Sequence, residues 1–246
     1  DDRKSYFDTN LAPNGKVNTS MSWSQVNRTL TNLDLTNLNV SQVTSGFGMF
    51  NSLENLQEVG DLSNWDTHNF TDMSYMFNDD NSLTSLVGLS NWDTSKVTNM
   101  ANMFCDNGSL KNLGDLSRWQ TGNVTNMSMM FAHNNSLTSL DLSRWDTHNV
   151  TDMHSMFLYD GLLTSPGDLS NWDTSKVTNM SAMFANDGSL TSLGDLSHWK
   201  TGNVRNMSSM FDSDESLTSL GDLSRWQTGN VTDMSSMFNN MSALTN

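Results

Sequence analysis

Tryptophan recurs along this chain at Trp65, Trp92, Trp119, Trp145, Trp172, Trp199 and Trp226, in steps of 27, 27, 26, 27, 27 and 27 residues. A Met-Phe pair follows each one, from Met76-Phe77 to Met237-Phe238. Met49-Phe50 carries the series one unit upstream, where Leu38 stands in the tryptophan position. A period of this size means one supersecondary unit repeated along a stack, each unit burying its apolar face against its neighbours. The 246 residues therefore fold as a pile of about eight coils, not around one central core.

One unit reads L-T-S-L-G-D-L-S-x-W-D-T-x-x-V-T-N-M-S-x-M-F and closes with a short polar turn. Leu137, Leu140 and Leu142, like Leu30, Leu33 and Leu35, give L-x-x-L-x-L, the strand segment of a leucine-rich repeat with its leucines inward. Most coils insert a glycine here, such as Gly114, Gly194 and Gly221, which suggests a bulge that returns the next leucine to the interior. Val177, Met180, Met183 and Phe184 then fall at i, i+3, i+6 and i+7, the spacing of a helical face. The expected fold class is an α/β solenoid of leucine-rich-repeat type, in about eight coils of 26–27 residues. A parallel β-sheet would form one face and short helical or 3₁₀ segments the other.

Residues 1–29 do not fit the repeat and are expected to cap the first coil; the solenoid occupies 30–246. The absence of a matching cap after Leu244 implies a fragment of a longer protein. Pro166 stands at a strand-leucine position, where it cannot donate a ladder hydrogen bond, and predicts a local irregularity. A longer period also shows: Leu62-to-Leu140 and Leu142-to-Leu220 match as three-coil blocks offset by 80 residues. Residues shared between the blocks then reflect duplication and do not by themselves mark a site.

The motif in Leu169-Ser170-Asn171-Trp172-Asp173-Thr174-Ser175-Lys176-Val177-Thr178-Asn179-Met180-Ser181-Ala182-Met183-Phe184 resembles that of the BspA-like leucine-rich-repeat surface proteins of bacteria. The family signature is D-L-S-x-W-D-T-S-x-V-T-x-M-x-x-M-F, and the resemblance covers residues 30–246. It implies an extracellular protein, secreted or on the bacterial cell surface, acting as an adhesin toward host glycoproteins, matrix, mucin, glycans or other microbes. The signature is structural and carries no ligand residues across.

The residues themselves exclude several classes. A net charge of −15 repels phosphate backbones, so nucleic acid and anionic membranes are poor partners. No apolar run approaches the ~20 residues that span a bilayer, so this segment is not expected to insert in a membrane. Cys105 is the only cysteine, which rules out an internal disulfide framework. The histidines do not gather: His68 and His148 share a column but lie three coils apart, too far for one metal ion. No coil sets Ser, His and Asp apart from its neighbours, so a nucleophilic triad has no support and the chain does not read as an enzyme. A glycan-active enzyme, the remote alternative, would need one carboxylate pair at a definite separation in a cleft.

The tryptophan and methionine columns read as core, because apolar positions invariant through a stack are buried. Asp34, Asp61, Asp115, Asp141, Asp168, Asp195 and Asp222 form a carboxylate column interrupted only at Gly88. If it faces outward, neighbouring carboxylates repel one another. Arg118, Arg144 and Arg225, three residues after an Asp, could screen it, and so could Ca²⁺, the one cofactor such a column could hold. The residue before each tryptophan varies most, and the ligand-binding candidates combine that column with the Asp column. They are Asp115, Arg118, Asp141, Arg144, Asp168, Asp195, His198, Asp222 and Arg225. The expected function is recognition of an extracellular protein or glycan through the solenoid surface; the alternative is a non-binding stalk that displays another domain.

Overall fold

The computed structural model describes residues 29–245; the N-terminal segment expected to act as a cap lies, except for Thr29, outside them. The described chain is a single stack of parallel coils, one per sequence repeat. In one coil Leu169, Trp172, Thr174, Val177, Met180, Met183, Phe184, Asp187 and Leu190 are all buried. Most of these are three residues apart, a spacing that belongs neither to a strand nor to a long helix. The hydrogen bonds explain it. Trp172 N–H donates to Leu169 O at 3.1 Å, Val177 to Thr174 at 3.0 Å, Met183 to Met180 at 3.3 Å and Leu190 to Asp187 at 2.9 Å. Inward residues are thus joined in pairs by tight turns, while the N–H groups of Met180, Phe184 and Asp187 bond the next coil, so the coil is a chain of turns and not a helix.

This corrects the expected α/β character. From Leu30 to Thr245 there is no α-helix, and the helical elements are three 3₁₀ turns, Leu89–Asn91, Leu196–His198 and Leu223–Arg225. They precede the tryptophan; the V-T-x-M-x-x-M-F segment, expected to be helical, instead carries the longest run of parallel bridges. That run passes from Ser45 through Asp72, Asn99, Asn126, Asp152, Asn179 and Asn206 to Asp233. On the leucine side the expected sheet is reduced to isolated pairings such as Asn32 with Glu58 and Ser85 with Asn112. The i, i+3 spacing of valine and methionine is common to a helix and to consecutive turns. Intercoil hydrogen bonds decide between them here.

Two residues per coil make that possible. Tyr75, Asn102, Met129, Ser155, Ala182, Ser209 and Ser236 have φ between 52° and 58°, and a second column from Ser52 to Asn240 is also left-handed. For non-glycine residues this conformation costs ~1–2 kcal/mol each. The reversal aims the residue's own N–H along the stack. Ala182 donates to Ser208 O at 2.8 Å and Asn186 to Asp212 O at 2.7 Å. The intercoil bonds hold the strained turns in place.

Side chains reinforce the stack from within. Parallel indoles lie 5.7–6.4 Å apart in two runs, Trp65 to Trp145 and Trp172 to Trp226, with Phe50 to Phe238 stacked beside them. Each buried Phe or Met stabilises by ~1.5–3 kcal/mol relative to exposure. Among the described residues every indole also donates to a leucine carbonyl of the preceding coil, as Trp119 Nε1 does to Leu89 O at 2.8 Å. Buried threonines bond the next coil, as Thr174 Oγ1 does to Lys200 O at 2.9 Å. At Pro166 the ladder is stretched: Leu140 N–H reaches Ser165 O only at 3.4 Å, although Leu142 bonds Pro166 O at 2.9 Å.

A β-branched side chain at a left-handed position should be costly, because the turn cannot relax without breaking an intercoil bond. Ala182→Val is expected to destabilise by ~1–2 kcal/mol in urea unfolding, whereas Ala182→Gly is neutral or slightly stabilising. Equal effects of the two changes would contradict the turn geometry.

Candidate functional site

The nine residues singled out as ligand-binding candidates are all exposed, along the corner where the leucine segment meets the tryptophan. The Asp column there is built into the backbone. Asp115 Oδ1 accepts the Ser117 N–H at 2.9 Å, and Asp168, Asp195 and Asp222 accept from Ser170, Ser197 and Ser224 at 2.9–3.0 Å. Asp141 takes both the N–H and the hydroxyl of Ser143, at 3.1 Å and 2.6 Å. These are Asx turns that cap the corner, a local role for which Asp is well suited. The backbone and hydroxyl bonds from Ser170 and Ser197 hold Asp168 and Asp195 below the usual carboxylate range. They outweigh the opposing push from the next carboxylate along the stack.

The same column explains several of the inserted glycines, though not Gly114, where a Cβ would meet nothing within 4 Å. Gly194 and Gly221 have φ of 83° and 82°, and a Cβ on either would lie about 2 Å from Asp168 or Asp195 Oδ1. The Asp of one coil therefore occupies the space that a side chain on the next coil would need. Arginine screening by contact, one of the two expected devices, is not what the structure uses. Among the described residues Arg118, Arg144 and Arg225 form no ion pair, and the carboxylate pairs within 4 Å involve His68, His133, His148 and His154. A long-range influence does remain, since Arg118 and Arg144 add to the lowering of Asp115 after the bonds from Ser117.

Three of the candidates line clefts, and two of them come together. His198 and Arg225 line an open cleft of about 590 Å³ with Lys200, Gly202 and Gln227. Three coils earlier Arg144 lines its counterpart, about 510 Å³, with Gln120, Gly122, Asp146 and His148. The glycine of each T-G-N corner makes the room: a Cβ on Gly202 would meet Gln227 Oε1 at 2.9 Å, and one on Gly122 would meet Asp146 Oδ2 at 3.1 Å. The two differ in charge. The later cleft carries His198, Lys200 and Arg225 and no carboxylate, whereas Asp146 enters the earlier one. Arg118, Asp115, Asp141, Asp168, Asp195 and Asp222 line neither.

A second surface escaped the sequence reading. Phe47 and Tyr75, 46% and 37% exposed, meet edge to face at 5.7 Å above a groove of about 490 Å³ that also contains Asn78, Asn102 and Asp106. Farther along, His133 and Tyr159 meet in the same way at 5.1 Å. The signal was present, because these aromatics occupy positions that other coils give mostly to small or polar residues such as Ser, Asn, Asp, Ala and Gly.

The architecture defines a turn-built parallel repeat solenoid. The chain belongs to the family described as Mycoplasma protein of unknown function, DUF285, whose profile matches residues 17–112, 84–166 and 158–246. The BspA-like likeness rests on the motif alone. Among solved structures, a leucine-rich repeat protein from Eubacterium ventriosum is 15% identical, with TM-score 0.41, over 88% of this chain and 81% of that one. Internalin C2 of Listeria monocytogenes is 15% identical with TM-score 0.27, over 93% and 91%. A leucine-rich repeat protein from Bacteroides ovatus is 14% identical with TM-score 0.22, over 89% and 67%. No curated protein matches the chain. Among the described residues no helix is long and apolar enough to cross a membrane.

Calcium is the remaining expectation for the Asp column. Among the described residues no three His, Cys, Asp or Glu side chains converge as metal ligands. Each column Asp already spends one oxygen on a backbone cap. Thermal unfolding with and without millimolar Ca²⁺, against an EDTA control, is expected to show no shift. A rise of several degrees that EDTA abolishes would assign the column to a cation after all.

Proposed function

We propose that this chain is a non-enzymatic binding module of a bacterial cell-surface or secreted protein, and that it recognises an extracellular glycoprotein, matrix component, mucin or glycan. The observation that carries the reading is the division between interior and corner. Inside, the same residue types recur from coil to coil; at the corner, equivalent positions hold His198, Arg225, Arg144, Asn171 or Asn91. A structural stack constrains only its interior, so side-chain variety at an exposed, cleft-forming edge is what a recognition surface uses.

The cleft around His198, Lys200 and Arg225 is the preferred contact point. It gathers three basic side chains in a chain of net charge −15, and it suits an acidic group on the partner. The regular stack also fits a stalk that displays another domain. Grafting the coils onto an inert carrier separates the two readings, since adhesion travels with a binding module and not with a stalk.

The direct test is a panel of matrix proteins, mucins and glycans probed with the intact chain and with a Lys200→Glu/Arg225→Glu variant. Binding that weakens at least tenfold in the variant, with an unchanged melting temperature, is expected. Binding indifferent to the double change would remove the cleft from the account, and no binding across the panel would favour the stalk.

A further inference from the structure

One column inside the solenoid is polar. Three residues after the core phenylalanine of successive coils stand Asp80, Asn107, Asn134, Asp160, Asp187 and Asp214, each with 0% exposure. Their Oδ1 atoms are used alike: each accepts the backbone N–H of the equivalent residue one coil back. Asp80 N–H reaches Asn107 Oδ1 at 2.9 Å, Asn134 reaches Asp160 at 2.8 Å, Asp160 reaches Asp187 at 2.8 Å and Asp187 reaches Asp214 at 3.0 Å.

The second side-chain atom separates the two residue types. In Asn107 it is an amide nitrogen that donates to Phe77 O at 2.7 Å and Phe104 O at 2.9 Å, and Asn134 donates likewise to Phe131 O. With Oδ1 fixed by the same bond, the Oδ2 of an aspartate takes the place of that amide. In Asp80, Asp160, Asp187 and Asp214 this Oδ2 is buried and receives no hydrogen bond. A carboxylate there would hold an unpaired charge against carbonyl lone pairs, whereas a carboxylic acid has one O–H to donate, as the amide does.

We propose that Asp80, Asp160, Asp187 and Asp214 are neutral acids whose Oδ2–H donates to phenylalanine carbonyls in the manner of the Asn107 and Asn134 amides. Ionisation of Asp160, Asp187 and Asp214 forms a pH-sensitive release built into the later coils. Burial drives all four groups the same way: Asp214 is pushed up to about 8, and the other three lie well above the ordinary aspartate range. The titratable groups that face the column give no relief. Asp79 lies beside Asp80, Asp212 beside Asp214, Asp160 and Asp214 flank Asp187, and the Cys105 thiol is near Asp160. Asp160, Asp187 and Asp214 are consecutive, so the first ionisation sets a charge next to another carboxyl, while Asn107 and Asn134 insulate Asp80 from them.

The sign follows from proton linkage. These acids keep their protons in the folded chain at a pH where the unfolded chain has lost them. Their contribution to stability is therefore complete below the unfolded value of ~3.9 and declines as pH rises toward the folded one, about 8 for Asp214. The corner aspartates act oppositely: their depressed values stabilise above the unfolded range and fail only as pH falls below it. Stability should peak in mildly acidic solution.

The test measures melting temperature and residue-resolved hydrogen exchange of the full chain at roughly pH 5 and pH 8, with infrared spectra in the protonated-carboxyl region. The proposal expects a lower melting temperature at the higher pH, with protection lost first around Asp160 to Asp214. It also expects a protonated-carboxyl band at neutral pH that an Asp160→Asn/Asp187→Asn/Asp214→Asn variant reduces to the share of Asp80. That variant should melt higher than the parent at the higher pH and alike at the lower. If it does not fold, Asp80→Asn and the spectrum of the parent chain decide. Stability that does not fall over this range, or no protonated-carboxyl band at neutral pH, would overturn the proposal.

Discussion

The solenoid depends on polar bonds made inside it, from the side chains of one coil to the backbone of the next. A coil of tight turns leaves many backbone groups without partners in the same coil, and burial makes each unpaired group costly, ~1–3 kcal/mol. Three buried positions meet that need. The indole N–H reaches back to a leucine carbonyl, the threonine hydroxyl reaches forward to the corner, and the Asx carbonyl oxygen receives the N–H of the coil before. Apolar stacking supplies most of the stabilising area, but it is indifferent to small slides along the axis. The hydrogen bonds fix the register, which is why Trp, Thr and Asx recur as faithfully as Leu, Met and Phe.

Much of this was legible in the sequence. The 26–27-residue period gave the stack, and the fixed step from leucine to tryptophan gave the inward indole column. The secondary structure was not legible, for a specific reason. Val177, Met180 and Met183 are spaced as a helix spaces its buried face, and successive turns that each bring their third residue inward have the same spacing. What distinguishes them is backbone handedness at Ala182 and Asn186, and ordinary side chains do not announce a positive φ. The Asx column was hidden because its residues sit in what reads as a polar return, where Asp and Asn are usually solvated turn formers.

The outward face was harder to read. The Asp column drew attention as a possible cation or ligand site, yet its carboxylates are engaged with serine amides two residues on, and a glycine of the next coil packs against several of them. Of the residues before the tryptophan, Arg144, His198 and Arg225 line the corner clefts and Arg118 does not. The position after the tryptophan, where Lys200 and Gln120 stand, completes those clefts. Because the interior bonds leave the corner side chains outside the load of the fold, substitution there is free to follow a partner.

Hydrogen exchange of the tryptophan side chains tests the central claim most directly, because every indole N–H among the described residues is assigned to a backbone carbonyl of the preceding coil. Of the indole resonances, the account predicts that the seven of the repeats are protected, Trp65 through Trp199 strongly and Trp226, only partly buried, the least. Exchange of all seven at the rate of a solvent-exposed indole would contradict it, and with it the register of the whole stack.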